Sequence, residues 1–285
     1  MAPTVGGVRS DRPREVSPLW ADLLFSLPAI LLGAGCGAAL GLLLDRIGVL
    51  PWWSVPAVHI LASPLVLWRP FELFLVALSP GLRRARGQQL SRIDSIVHTV
   101  ARRCGIPPKR WLYVIERSGG VNASTSGRHV LAVTPAALAL PDEILAAVIA
   151  HELGHQAGGD TVAKGLRWWA LLPLRAITSL TRLAAFAAVG LAVLGSVVVA
   201  VAMILTGLVY FLLLPLTLLF PLHAWLERRN ELAADAFAAR AGYGPALSAL
   251  LHSLSGQPRS RGLRRMLDTH PHPVVRLNAL AKAGS

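Results

Sequence analysis

Charge is scarce in this chain. Asp, Glu, Lys and Arg make up 15% of its 285 residues, against 54% hydrophobic residues. Soluble domains carry about 25% charged residues, so the composition points away from an ordinary soluble globule and toward a membrane protein. Acidic residues are scarcer than basic ones: 15 face 28, a net charge of +13. Such an excess suits a nucleic-acid binder. Here, however, the basic residues flank apolar blocks, with Arg9, Arg12 and Arg14 before the first and Arg83, Arg84 and Arg86 after the second. Cytoplasmic flanks of membrane spans collect Lys and Arg in this way, so no nucleic-acid partner is expected. Cysteine is almost missing. Cys36 lies inside an apolar block and Cys104 just before Gly105-Ile106-Pro107, so neither a disulfide nor a cysteine metal site is expected.

What the chain does have is long apolar runs. Residues 1–18 read as a disordered cytoplasmic tail. Residues 23–44 hold no charge over 22 positions, enough to cross a bilayer. The run starts late and lacks a clear small-residue cleavage site, so it reads as a retained span rather than a signal peptide. Residues 49–68 form a second candidate, with His59 as the sole ionisable group, and Arg69 and Glu72 follow at a pairing distance. The 183–222 block is uncharged for forty residues. One straight helix of that length would measure about 60 Å against a hydrocarbon core of about 30 Å, so a turn is expected, best placed at Thr206-Gly207. Residues 167–182 mix tryptophan, leucine and arginine, which suits an interfacial helix or an extension of the third span. The expected layout is a transmembrane hairpin over 19–80, a polar unit over 81–165, an interfacial segment with a second hairpin over 166–226, and a second polar part over 227–285.

The polar unit predicts a small α+β fold. Leu90, Ile93, Ile96, Val97 and Val100 share one face of a helix over 88–104. Residues 111–116 and 129–134 read as short strands. Pro141-Asp142-Glu143 opens a further helix, with proline and acids where a helix start favours them.

That last helix carries the chemistry. His151 and His155 are four apart and so lie on one face, one turn from each other, with Glu152 beside the first. Two imidazoles at this spacing can reach one zinc ion, and the glutamate can reach a water on it. The alternative is a pair of helix-face histidines bonded to local carbonyls. A catalytic zinc needs a third protein ligand and an open position. Glu231 can supply the ligand. Asp235, one turn on, can then take a hydrogen bond from the far nitrogen of His151. The alternative there is an exposed acidic face answering Arg228, Arg229 and Arg240. His155 and Glu231 can share an ion only if the chain between them crosses the membrane an even number of times, and the 183–222 block has room for two crossings.

The ordered set Val121-Asn122-Ala123, the strand ending at Thr134, the His151-Glu152…His155 helix with Asp160, Asn230-Glu231…Asp235, and His270-Pro271…Arg276 resembles the integral-membrane zinc metallopeptidases of the HtpX-like and CAAX-prenyl-protease kind, metallopeptidase family forty-eight. The resemblance covers about residues 88–280. It implies an α+β, mainly helical, zincin-like catalytic domain with a small sheet and about four transmembrane helices in two hairpins. It implies one zinc per chain held by His151, His155 and Glu231, with Glu152 as general base and Asp235 behind the ligands. Asn122 and Ala123 would lie on an edge strand that pairs with extended substrate. Arg276 would contact substrate. His270 would contact substrate or the developing oxyanion, or else cap the chain before Pro271. Ser124-Thr125 departs from the bulky apolar residue expected on that strand. Four spans rather than seven set the chain apart from the prenyl proteases, so prenylated substrates are not implied. The implied protein is a multi-pass zinc metalloendopeptidase of a bacterial-type cell membrane, with N-terminus and catalytic domain cytoplasmic. It would act on unfolded or membrane polypeptides. A zinc-holding membrane scaffold that has lost catalysis is the alternative.

Overall fold

The computed structural model describes residues 18–107, 109–190, 200, 204, 207, 220–256 and 270–283. The tail expected over 1–18, apart from Pro18, and most of the 183–222 block, with Thr206 of its expected turn, lie outside the described residues.

The first apolar run is one helix, α1 (Pro18–Arg46), and Asp22–Arg46 is long and apolar enough to cross a membrane. Gly33, Gly37 and Gly41 repeat every four residues along one face. A Cβ at Gly33 would strike the carbonyl of Ala170, and one at Gly41 the carbonyl of Trp52. The glycines therefore let two other segments lie directly on the helix backbone.

The second apolar run is not the single straight span expected over 49–68. It folds as α2 (Ser54–Leu61), a 3-10 turn (Ser63–Leu67) and α3 (Arg69–Leu78), with an 88° bend before α3. Pro64 and Pro70 each stand in the first turn of a new helix, and Trp68 between them is extended at φ −87°, ψ 122°. Proline suits a helix start and breaks an interior, so the run is apolar throughout but not continuous. Among the described residues one helix is long and apolar enough to span a membrane, and this bent pair is a second candidate if its arms are taken together.

The polar unit is built on four strands: β1 (Leu82–Arg84), β2 (Leu112–Glu116), β3 (Ala123–Ser126) and β4 (Val130–Val133). Their order is β1-β2-β4-β3, with β2 and β4 parallel and both outer pairs antiparallel. The strands expected at 111–116 and 129–134 are present, each slightly shorter. β1 escapes the sequence pattern because two of its three residues are arginine. β3 is an edge strand that begins at Ala123.

Helix α4 (Gly87–Arg103) packs Ile93, Val97 and Val100 fully into the core, while Leu90 of the expected face stays 42% exposed. Thr134 accepts the Ala137 N–H at 3.2 Å and so caps the short α5 (Pro135–Leu138). Then comes α6 (Asp142–Gly158), ended by Gly159 in the left-handed conformation at φ +84°. From Ala147 to His155 every α6 side chain is buried, so it is a central helix enclosed on all sides. Residues 167–182 are divided between α7 (Asp160–Ala170) and α8 (Leu172–Gly190), and α8 carries Arg175 and Arg182 into the third apolar block. The last described helices are α9 (Phe220–Ala238), α10 (Gly244–Leu254) and α11 (Pro273–Ala283). The result is a mostly helical fold around a small mixed sheet.

The entry to α6 is clamped by Arg92 of α4. Its guanidinium donates to the Leu138 and Leu140 carbonyls at 2.5 and 2.8 Å and to the Asp142 carboxylate at 2.6 and 2.9 Å. Two of these acceptors are carbonyls left open at the end of α5. Arg92→Ala is expected to destabilise the fold by about 2 kcal/mol, the scale of a lost charge-assisted hydrogen bond. A lower melting midpoint in micelles checks this, and an unchanged midpoint would remove the clamp's role.

Candidate metal centre

Helices α6 and α9 cross closely because small residues meet at the crossing. A Cβ at Gly154 would lie 2.9 Å from the Ala234 Cα and 3.1 Å from its carbonyl oxygen. This contact sets Glu231 of α9 against His151 and His155 of α6. The two Nε2 atoms stand 3.2 Å apart. The Glu231 carboxylate reaches the His151 Nε2 with one oxygen and the His155 Nε2 with the other, each at 3.5 Å. All three residues are buried, and one donor atom from each lies within 4.8 Å of the others.

The far nitrogens define the protonation. His151 Nδ1 donates to Asp235 Oδ1 at 2.8 Å, and His155 Nδ1 donates to Asp160 Oδ2 at 2.8 Å. An ionised carboxylate only accepts, so each Nδ1 carries the hydrogen of the neutral ring. Two Nε2 lone pairs and a carboxylate then face one another without a donor among them. A cation resolves that repulsion. Zinc bound at about 2.0–2.1 Å to nitrogen in a tetrahedral site sets its donors about 3.3 Å apart. The observed 3.2 and 3.5 Å edges fit such an ion.

The same field acts on the titration of these groups. Burial pulls both imidazoles down, yet Asp235 and Glu231 raise His151 overall, and Asp160 and Glu231 bring His155 to about 10. Burial pushes Glu231 up, but hydrogen bonds from His151, His155 and His270 hold it far below the carboxylate range. Asp235 is likewise held down against burial by Arg276 and His151. Glu152 moves the other way: burial raises it, against the pull of the two imidazoles. A carboxylate tuned upward is better suited to accept a proton near neutral pH.

Glu152 is tied to the edge strand. Thr125 donates its N–H to Glu152 Oε2 at 3.0 Å and its hydroxyl to the Glu152 carbonyl at 3.1 Å. Asn122 stands just before β3. Its carbonyl accepts from the Thr134 N–H at 3.0 Å, and its own N–H donates to Thr134 Oγ1 at 3.0 Å. Asn122 therefore turns its backbone to β4, whereas Thr125 turns its N–H outward. By the two-residue period, Ala123 shares the outward side with Thr125. His270 places Nδ1 2.9 Å from Glu231 Oε1 and keeps its side chain 75% exposed. Arg276 is bound to Asp235 at 2.7 and 2.5 Å and lies 3.3 Å from Glu231, so its guanidinium faces the carboxylates around the site.

A sequence-family model matches residues 88–283, described as Peptidase family M48. The chain belongs to that family. Family M48 comprises zinc metalloproteases, and the close group of His151, His155 and Glu231 is compatible with zinc binding. The chain's fold is similar to the crystal structure of S. mikatae Ste24p, with a TM-score of 0.51 and 21% identity. The alignment covers 93% of this chain and 66% of that one, just under two thirds of its length. No curated protein sequence matches the chain.

Two members of the site carry no role in the sequence reading. Asp160 stands five residues after His155, beyond the Gly158-Gly159 break, and the turn there brings it back onto the imidazole. Thr125 holds Glu152 across a contact between strand and helix that no local pattern records. Since Gly154 sets the α6–α9 distance, Gly154→Ala is expected to lower zinc content and Gly154→Leu to abolish it. Metal analysis of purified protein checks this, and full loading of Gly154→Leu would dismiss the close contact as the cause.

Proposed function

We propose that the chain is a membrane-embedded zinc endopeptidase. The observation that carries this reading is the facing trio of His151, His155 and Glu231 with the buried Glu152 carboxylate beside it. In this reading the trio holds one zinc, and the bound ion supplies Lewis acidity toward a water and a peptide carbonyl. Asp235 and Asp160 fix the tautomers of the two histidines and raise their basicity. Glu152 takes a proton from the attacking water and passes it to the leaving amine. The extended substrate pairs with the outward backbone of β3 at Ala123, next to Asn122. His270, exposed at the mouth and hydrogen-bonded to Glu231, faces the scissile group. Arg276 keeps Asp235 and Glu231 ionised and in place, with substrate contact secondary to that work.

The arrangement of the first hairpin supports the membrane part of the proposal. Asp22, at the start of the apolar run, accepts from Asn230 Nδ2 at 3.1 Å, one residue from Glu231. At the other end of the hairpin, Glu72 accepts from the Arg128 N–H. The hairpin thus leaves and returns on the side of the catalytic domain. The basic residues on that side favour the cytoplasm. The uncharged 183–222 block is long enough for two further crossings, which would make about four spans in two hairpins. Unfolded or membrane polypeptides suit a site that reads backbone along a strand edge, which places the enzyme in membrane-protein quality control.

Glu152→Gln is expected to keep about one zinc per chain and to lose casein cleavage by about 100-fold or more, the scale of a general base. Glu231→Ala is expected to lose both zinc and cleavage. Cleavage at the wild-type rate by metal-loaded Glu152→Gln would sink the assigned base. A wild-type protein that holds zinc and cleaves nothing would instead be the scaffold.

A further inference from the structure

The arm beyond the bend carries, in its first turn, an acid that the catalytic reading leaves without a task. Glu72 of α3 is 4% exposed. Its Oε1 accepts the Arg128 N–H at 2.6 Å, and its Oε2 meets His129 Nδ1 at 2.8 Å. Arg128 and His129 lie in the turn that joins β3 to β4. Gly127 opens that turn at φ +57°, and a Cβ there would strike the Glu72 carboxylate. The turn is shaped around this one side chain. Val76, one turn further along α3, packs on Leu112, Val114, Val130 and Ala132 and so covers the second face of the sheet.

The segment is also fastened to the other side of the site. Trp169 Nε1 donates to the His59 carbonyl at 2.8 Å, its ring stacks on His59 at 5.4 Å, and Phe71 meets it edge-on at 5.8 Å. Trp169 belongs to α7, whose first residue, Asp160, holds His155. The 88° bend is what brings Glu72 off the line of the hairpin and onto the sheet.

We propose that Glu72 is a positioning residue of the active site. It locks the β3–β4 turn, so that Thr125, two residues before Gly127, holds Glu152 in place and the open edge of β3 stays straight for substrate. This rests on the peptidase reading above. Glu72 touches neither the three donor residues nor Glu152, so its loss should loosen the strand without emptying the metal site.

The test compares full-length wild type, Glu72→Ala, Glu72→Gln, Thr125→Ala and the double variant Glu72→Ala/Thr125→Ala, all in micelles. Amide hydrogen exchange, zinc content, kcat and KM are measured on each. In Glu72→Ala, exchange should speed up across residues 121–131 and stay unchanged in α10 and α11, with zinc still near one per chain. Its kcat should fall by at least about tenfold, as small misplacements at a reacting site do. Glu72→Gln keeps an oxygen for the Arg128 N–H and should recover to within about threefold of wild type. The double variant should lose no more than the worse single variant, since both substitutions act through one strand. Unchanged exchange over 121–131, a wild-type kcat in Glu72→Ala, or loosening spread evenly over the whole chain would each overturn the proposal. Wild type that binds zinc but cleaves nothing would refute the peptidase reading instead, and the exchange comparison would still decide the lock.

Discussion

Three lone pairs facing one another in a buried space are the constraint on which this structure depends. His151 and His155 turn Nε2 inward because Asp235 and Asp160 hold Nδ1 from outside. Glu231 arrives from a helix eighty residues away in sequence, and it arrives close because Gly154 and Ala234 have almost no side chain to keep the helices apart. In an apolar interior such a group is unstable until a cation or protons fill it. The high His155 pKa and the depressed Glu231 pKa are two views of that same demand.

The surrounding charges make the same case. Glu152, Asp160, Glu231 and Asp235 are buried acids, and Arg276 and Lys164 are the cations that pair with three of them. Glu227, which also touches Lys164, has Arg167 within 3.7 Å to balance it. With buried Asp22 and Glu227 added, carboxylates outnumber the fixed cations around the site. A divalent ion would offset part of that excess. Arg276 then reads as part of the balance: without it Asp235 and Glu231 would repel each other across the end of α9, and Asp235 would be a poorer acceptor for His151.

How much of this was legible in the sequence depended on whether the signal was local. The paired histidines were legible because helical spacing puts them on one face. Glu231 and Asp235 were legible because the same spacing recurs among alanines after a block with room for two crossings. α4 was legible from its helical period, and the two apolar strands from short apolar runs bounded by serine and glycine. The bend before α3 was not, because hydropathy averages across Pro64 and Pro70 although both are helix-start residues. β1 was not, because a strand of Leu-Arg-Arg has no apolar period and exists only by pairing with β2. The expected pairing of Arg69 with Glu72 failed for the same kind of reason. The better partners for that carboxylate lie more than fifty residues away, in a turn that exists only once the sheet has formed.

The polar residues of β3 bring these threads together. Ser124-Thr125 stands where a bulky apolar residue was expected, and as a strand sequence Ala-Ser-Thr-Ser is weak. Its position explains it. The Thr125 hydroxyl and N–H both donate to Glu152, whose carboxylate is buried. A bulky apolar side chain there would remove one of the hydrogen bonds that hold it. The strand also lies at a sheet edge, where an apolar sequence would invite pairing with any other chain. A weak, polar edge strand needs support from elsewhere to keep its shape. That support comes from β4 on one side and from the carboxylate of Glu72 at the turn, so the strand's own sequence need not supply rigidity.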